Sequence, residues 1–285
     1  MVQKATHILI GFALAIFAVS SMCAQTFELN NNNNPNSTKK NKNSKTAEPQ
    51  TSQNGLGWGS SIETARNSRA AQQALEKGNF RDAAGYASRA AHGAPQNTSL
   101  WFLWGYSARL AGLYQDSEYA YKKGLQQQPN SIPGLSGLAQ TYAKMGRGNE
   151  AQAILKKVLA ANPKSVDDLE LAGELALNSD PQTALDLLKR ADAQQASARS
   201  ELLIARAYQR LNQPDASKQY LDRAQSRAPN DPGVLRAVAA FQRDAGQYDP
   251  AIAILEKVVP RSPDALPELA YTYQLAGKRK EAAET

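Results

Sequence analysis

The sequence predicts an all-α solenoid of antiparallel helix pairs, and three residue series that stay in phase predict it. A small residue recurs as Ala71, Gly105, Ala139, Ala172, Ala205, Ala239 and Ala270, at steps of 34, 34, 33, 33, 34 and 31. A second small residue recurs with the same steps, as Ala83, Ser117, Ala151, Ala184, Ser217, Ala251 and Ala282. Between them a turn residue keeps the phase: Gly78, Gly112, Gly146, Ser179, Asn212, Gly246 and Gly277. Around each marker, apolar residues fall at spacings of three, four and seven, the spacing of one helix face. A single hairpin of this size cannot bury such a face alone. Repetition answers that problem, because a solenoid buries its apolar surface between stacked neighbours.

Three regions follow in order. Residues 1–24 read as a signal peptide: Lys4 supplies a positive charge and Ile8 to Val19 an apolar segment too short to span a bilayer. Small residues lie near a cut after Ala24. Cys23 is the only cysteine, so neither an internal disulfide nor a cysteine metal cluster is expected. A lipid anchor at Cys23 is disfavoured, since Met22 stands where lipoprotein signals prefer a small residue. Residues 25–59 read as a disordered Asn/Lys-rich tether, with the run Asn30 to Asn34 followed by Lys39, Lys40, Lys42 and Lys45. Such a composition buries too little apolar surface to order itself. Residues 60–285 hold the array, read as about six full units and a partial or capping seventh. Pro95, Pro129, Pro163, Pro229 and Pro263 close second helices. The fourth and fifth units depart most from the pattern: Asp168 and Glu201 stand where the second unit has Trp101, and Ser179-Asp180-Pro181 replaces the glycine turn. The step of 31 predicts a shortened connection before the last unit.

The strongest copy is Trp101 to Pro129. Its Trp101, Trp104, Gly105, Ser117, Tyr121, Gly124 and Pro129, on a period near 34, resemble the tetratricopeptide repeat (TPR) signature. The likeness covers roughly residues 64–285. It implies a right-handed superhelix whose first helices line a concave groove that takes peptides. It further implies that groove residues lie three before, and one, four and five after, each first-helix marker. Those sites include Phe102, Tyr106 and Arg109 in the second unit and Gln140 and Lys144 in the third. They include Leu169 and Leu177 in the fourth, Arg206 and Arg210 in the fifth, and Arg236 and Arg243 in the sixth. The groove is thus expected to be aromatic at its amino-terminal end, apolar in the middle and basic at its carboxy-terminal end.

Enzyme chemistry is not expected. The two histidines are His7, in the leader, and His92, at a helix end, and no metal-ligand spacing occurs. No cofactor is implied. The array carries 28 Lys and Arg against 24 Asp and Glu, a balance too mixed for the basic stripe of a nucleic-acid binder. The expected function is a non-enzymatic scaffold or adaptor in the cell envelope, periplasmic or secreted. Its expected partner is a protein or peptide with acidic and apolar residues, and membrane contact is limited to a lipid anchor or the basic tether. The alternative is a repeat module of a larger polysaccharide-export or outer-membrane biogenesis protein.

Overall fold

The computed structural model describes residues 58–285, so the expectations for the leader, Cys23 and most of the tether lie outside the described residues. The array is built from fourteen helices in seven antiparallel pairs. They are α1 (Trp58–Glu76) with α2 (Phe80–Gly93), α3 (Thr98–Leu110) with α4 (Tyr114–Gln127), and α5 (Ile132–Lys144) with α6 (Gly148–Ala161). Next come α7 (Val166–Ala176) with α8 (Pro181–Gln194), and α9 (Ala198–Arg210) with α10 (Pro214–Arg227). Last are α11 (Pro232–Asp244) with α12 (Tyr248–Val258), and α13 (Leu266–Leu275) with α14 (Arg279–Glu284). Each helix packs on its pair mate and on the next pair, which is the arrangement of a stacked solenoid.

The turn within each pair explains the third residue series. Gly78, Gly112, Gly146, Gly246 and Gly277 have φ between +73° and +77°, and Asn212 has φ 54°. This left-handed position lets the next amide reach back over the helix end, as in Leu113 N–H to the Ala108 carbonyl at 2.8 Å and Gln213 N–H to the Tyr208 carbonyl at 2.9 Å. The fourth unit is built differently. There the Asp180 amide donates to the Ala176 carbonyl, the Asp180 carboxylate accepts from Thr183 N–H at 3.0 Å, and Pro181 opens α8. Several first helices are capped by side chains: Asn97 accepts from Ser99 N–H, Ser131 from Gly134 N–H, and Asp231 from Val234 N–H, whereas α7 and α13 have no such cap. The shortened last connection becomes a 3-10 turn, Pro263–Ala265, that leads directly into α13.

The core follows the repeat. Leu155, Leu188, Leu221 and Leu255 are buried on successive second helices, and Trp104, Leu138, Ile204 and Leu269 on the first helices that face them. Leu171 and Val238 hold the same first-helix register but are only half-buried, because the contacts of α7 on α6 and of α11 on α10 are thin. The second and third units are locked by rings lying on backbone. A Cβ added at Gly124 would fall 2.3 Å from the Phe102 ring, and one at Gly134 2.6 Å from it. Tyr121 is wedged likewise between Gly105 and Gly137. These glycines are steric necessities of the packing and contribute no turn.

Polar groups tie most pairs to their neighbours. Ser117 Oγ donates to the Gly105 carbonyl at 2.8 Å and lies 2.9 Å from Thr141 Oγ1 of the next pair. Asp168 reaches beyond its own helix. Buried, it accepts from Ser136 Oγ and Ser165 Oγ, both at 2.6 Å. Glu201, fully buried, is held by Arg227 through two bonds of 3.1 Å and by Arg223 at 3.3 Å. Two acids thus fill, with satisfied hydrogen bonds, a place that Trp101 fills by apolar burial in the second unit.

Candidate groove on the first helices

A concavity opens between the carboxy-terminal ends of α7, α9 and α11. Its volume is about 1100 Å³, and Leu177, Arg206, Gln209, Arg210, Phe241 and Asp244 are among its walls. The repeat aligns these ends on one face, and the left-handed turns bring the loop residues Asn212 to Pro214 to the rim.

Charge in this groove is uneven. Two of its acids are already engaged: Glu174 takes Arg199 at 2.7 Å, and Asp244 lies 3.8 Å from Arg243. Arg206 and Arg210 are exposed, and among the described residues neither has an acidic partner within ion-pair distance. They lie one turn apart on α9, where like charges repel. An anion placed between them relieves that repulsion and accepts from two guanidinium forks.

The other residues expected to face a ligand divide sharply. Phe102 and Leu169 are buried, so the expectation that they contact a ligand is corrected. Phe102 fills the notch left by Gly124 and Gly134, and Leu169 is closed over in the α7 core. Leu177 is largely buried too, but it forms part of the groove floor. Tyr106 is half-buried with the Arg109 guanidinium 5.4 Å from its ring centre, and Arg109 Nε is buried without a hydrogen-bond partner. Burial pushes the Tyr121 hydroxyl up to about 12, against the opposing pull of Arg109. Gln140 donates to Ser136 Oγ at 3.2 Å, while Lys144 is exposed. Arg236 is not a free cation: Asp264 and Glu268 of the last pair neutralise it. Arg243 is mostly covered, 5.5 Å from the Tyr271 ring centre.

One wall residue, Phe241, escaped the sequence reading. Phe241 stands two residues after its marker, where the units before it carry Gln73, Ser107, Thr141, Glu174 and Ala207, a position too variable to signal it. Tyr271 and Leu275, at groove register on α13, are exposed, as is Ile62 on α1. The exposed aromatic on this face, Tyr271, lies at the carboxy-terminal end, while Tyr106 at the amino-terminal end is half-buried. His92 is an exposed helix-end residue: its Nδ1–H donates to the Ser88 carbonyl at 2.8 Å, and its ring packs 5.3 Å from Trp101 and 5.2 Å from Trp104.

The paired helices, the left-handed turns and the groove define a helical-repeat interaction module. Two tetratricopeptide repeat family models match the chain, one over residues 108–172 and the other over 68–132 and 202–265, together more than half of it. The chain belongs to the tetratricopeptide repeat family, whose fold is a non-catalytic protein-interaction module. It is 26% identical over 157 residues to the cellulose synthase operon protein C of Xanthomonas axonopodis pv. citri (strain 306), a match covering 50% of this chain and 10% of that protein. It is 24% identical over 167 residues to the TPR repeat-containing protein YpiA of Bacillus subtilis (strain 168), covering 58% of this chain and 40% of the relative. The chain thus spans less than half of either curated relative. A crystal structure of a tetratricopeptide repeat protein from Parabacteroides merdae ATCC 43184 superposes with a TM-score of 0.66 at 21% identity, over 78% of this chain and 90% of that one, and shares the fold.

Proposed function

We propose that this protein is a non-enzymatic scaffold of the cell envelope that holds a protein or peptide segment in the groove of α7, α9 and α11. The observation that carries this reading is the unneutralised pair Arg206 and Arg210 beside Leu177 and Phe241. An extended partner with a carboxylate opposite the arginines and an apolar side chain against Leu177 or Phe241 fits both. Buried aromatics and arginines are the residue types that dominate interfaces. Export to the periplasm or outside rests on the leader-like residues 1–24. A panel of fluorescent acidic-apolar peptides, read by anisotropy, tests the groove. Binding that falls at least about tenfold in Arg206→Glu/Arg210→Glu supports it, a loss of about 1.4 kcal/mol or more. Equal binding by wild type and variant sinks it.

The second reading, a repeat module of a larger polysaccharide-export or outer-membrane biogenesis protein, is favoured by the likeness to one part of a cellulose synthase operon protein. The coding sequence beyond Thr285 tests it. Continuation into further repeats and an outer-membrane domain supports it, and an immediate stop codon contradicts it.

A further inference from the structure

Every joint between neighbouring pairs from the second to the seventh carries a side-chain tie, with one exception. Glu118 on α4 takes Arg147 of the next pair at 2.7 Å and the Tyr142 hydroxyl at 3.2 Å. Ser136 reaches Asp168, Arg199 reaches Glu170 and Glu174, and Arg236 reaches Asp264 and Glu268. Between the fifth and sixth pairs, no side-chain hydrogen bond or ion pair crosses among the described residues.

The repeat shows what was lost. The joint between the second and third pairs and the joint between the fifth and sixth hold the same register, so residues correspond one by one. Ser217 stands for Ser117, Lys218 for Glu118, Phe241 for Thr141, Gln242 for Tyr142 and Gln247 for Arg147. Each change removes one end of a tie. Ser217 Oγ and Gln242 Oε1 are left buried without a partner, a state that costs free energy in the packed form. Apolar packing thins at the same place, although Leu221, Ala224 and Val234 remain buried there. One buried cluster runs from Ala176 to Leu211 and Tyr220, another from Ala239 to Ala276, and Val238 between them is half-buried.

We infer that the α10/α11 joint is a hinge, and that it sets the width of the groove. Arg206, Arg210 and Leu177 stand on one side of it, and Phe241 and Asp244 on the other. A change in the angle between the fifth and sixth pairs moves the apolar wall relative to the arginines. The role in ligand fit rests on the groove reading above, whereas the hinge itself can be measured in the ligand-free chain. Hinge motion between packed blocks is a common way to close on a ligand.

Double electron–electron resonance on the full chain, with Cys23→Ser, tests the hinge. Exposed positions of matched register are labelled as cysteines: Gln219→Cys with Ala253→Cys across the joint, and Asp186→Cys with Gln219→Cys across the tied joint before it. The distance distribution across α10/α11 is expected to be about twofold broader. Transplanting the tie as Lys218→Glu/Asp222→Lys/Gln247→Arg is expected to narrow it to the control width. Equal widths in the unaltered chain overturn the hinge, and so does a distribution that the transplant leaves broad. A broad distribution in a protein whose peptide binding ignores Arg206→Glu/Arg210→Glu keeps the hinge and removes the groove reading.

Discussion

Gly124→Ala reverses the sign of its effect according to whether Phe102 keeps its ring. In an ordinary helix interior, alanine is favoured over glycine by about 1 kcal/mol. Here the added methyl would lie 2.3 Å from the ring of Phe102, which is buried and also pressed close to Gly134. Overpacking of that kind costs about 1–3 kcal/mol, which offsets or exceeds the helix gain. Phe102→Ala alone opens a cavity and costs about 3–5 kcal/mol. In that background the obstacle is gone, and Gly124→Ala becomes stabilising by about 1 kcal/mol. Urea unfolding followed by tryptophan emission reads this directly, because Trp101 and Trp104 belong to the same pair. A tryptophan-monitored transition also isolates this region in an array that need not unfold in one step. The reasoning is refuted if Gly124→Ala shifts the midpoint equally in both backgrounds. A Phe102→Ala cost within about 0.5 kcal/mol would mean the ring faces solvent after all.

Other outcomes follow from the same contacts. Trp104→Ala, at a buried position, is expected to cost about 3–5 kcal/mol in the same unfolding assay. Glu201→Gln is expected to cost about 1–3 kcal/mol, held down because Arg223 and Arg227 are half-exposed and can turn to water. Glu201→Leu should cost less, since an apolar residue fills that place in the second unit. For Glu118, burial acts to raise the carboxyl, but the bonds from Lys122 and Arg147 prevail and hold it below its usual 4.5. Its folded value is therefore depressed. Its contribution is present above 4.5 and lost as pH falls through the folded value. Glu118→Gln should flatten that part of the acid limb in a stability-against-pH series, and an unchanged limb would contradict the tie.

The fold was legible because its signals are local. The small markers, turn glycines and closing prolines each act within one pair, and their phase alone orders the stack. The site was legible only as a register. Counting from Ala205 puts Arg206 and Arg210 on one side of α9, and both line the concavity between α7, α9 and α11. The same counting places Phe102 there, but its fate is decided by Gly124 and Gly134 on other helices, which leave a notch of its size. Arg236 reads as a free cation until Glu268, a full unit later in sequence, is brought beside it. Distant neighbours decide which members of a face remain available, and a one-dimensional period does not specify them.

Site-specific photo-crosslinking in the native cell envelope tests the binding groove most directly. A benzophenone side chain at Gln209, between the two arginines, is compared with one at Gln219 on the outer face of α10. A discrete partner captured from Gln209, absent from Gln219 and lost in Arg206→Glu/Arg210→Glu, is the result expected. Capture that is equal at both positions, or that survives the charge reversal, would contradict a ligand held in this groove.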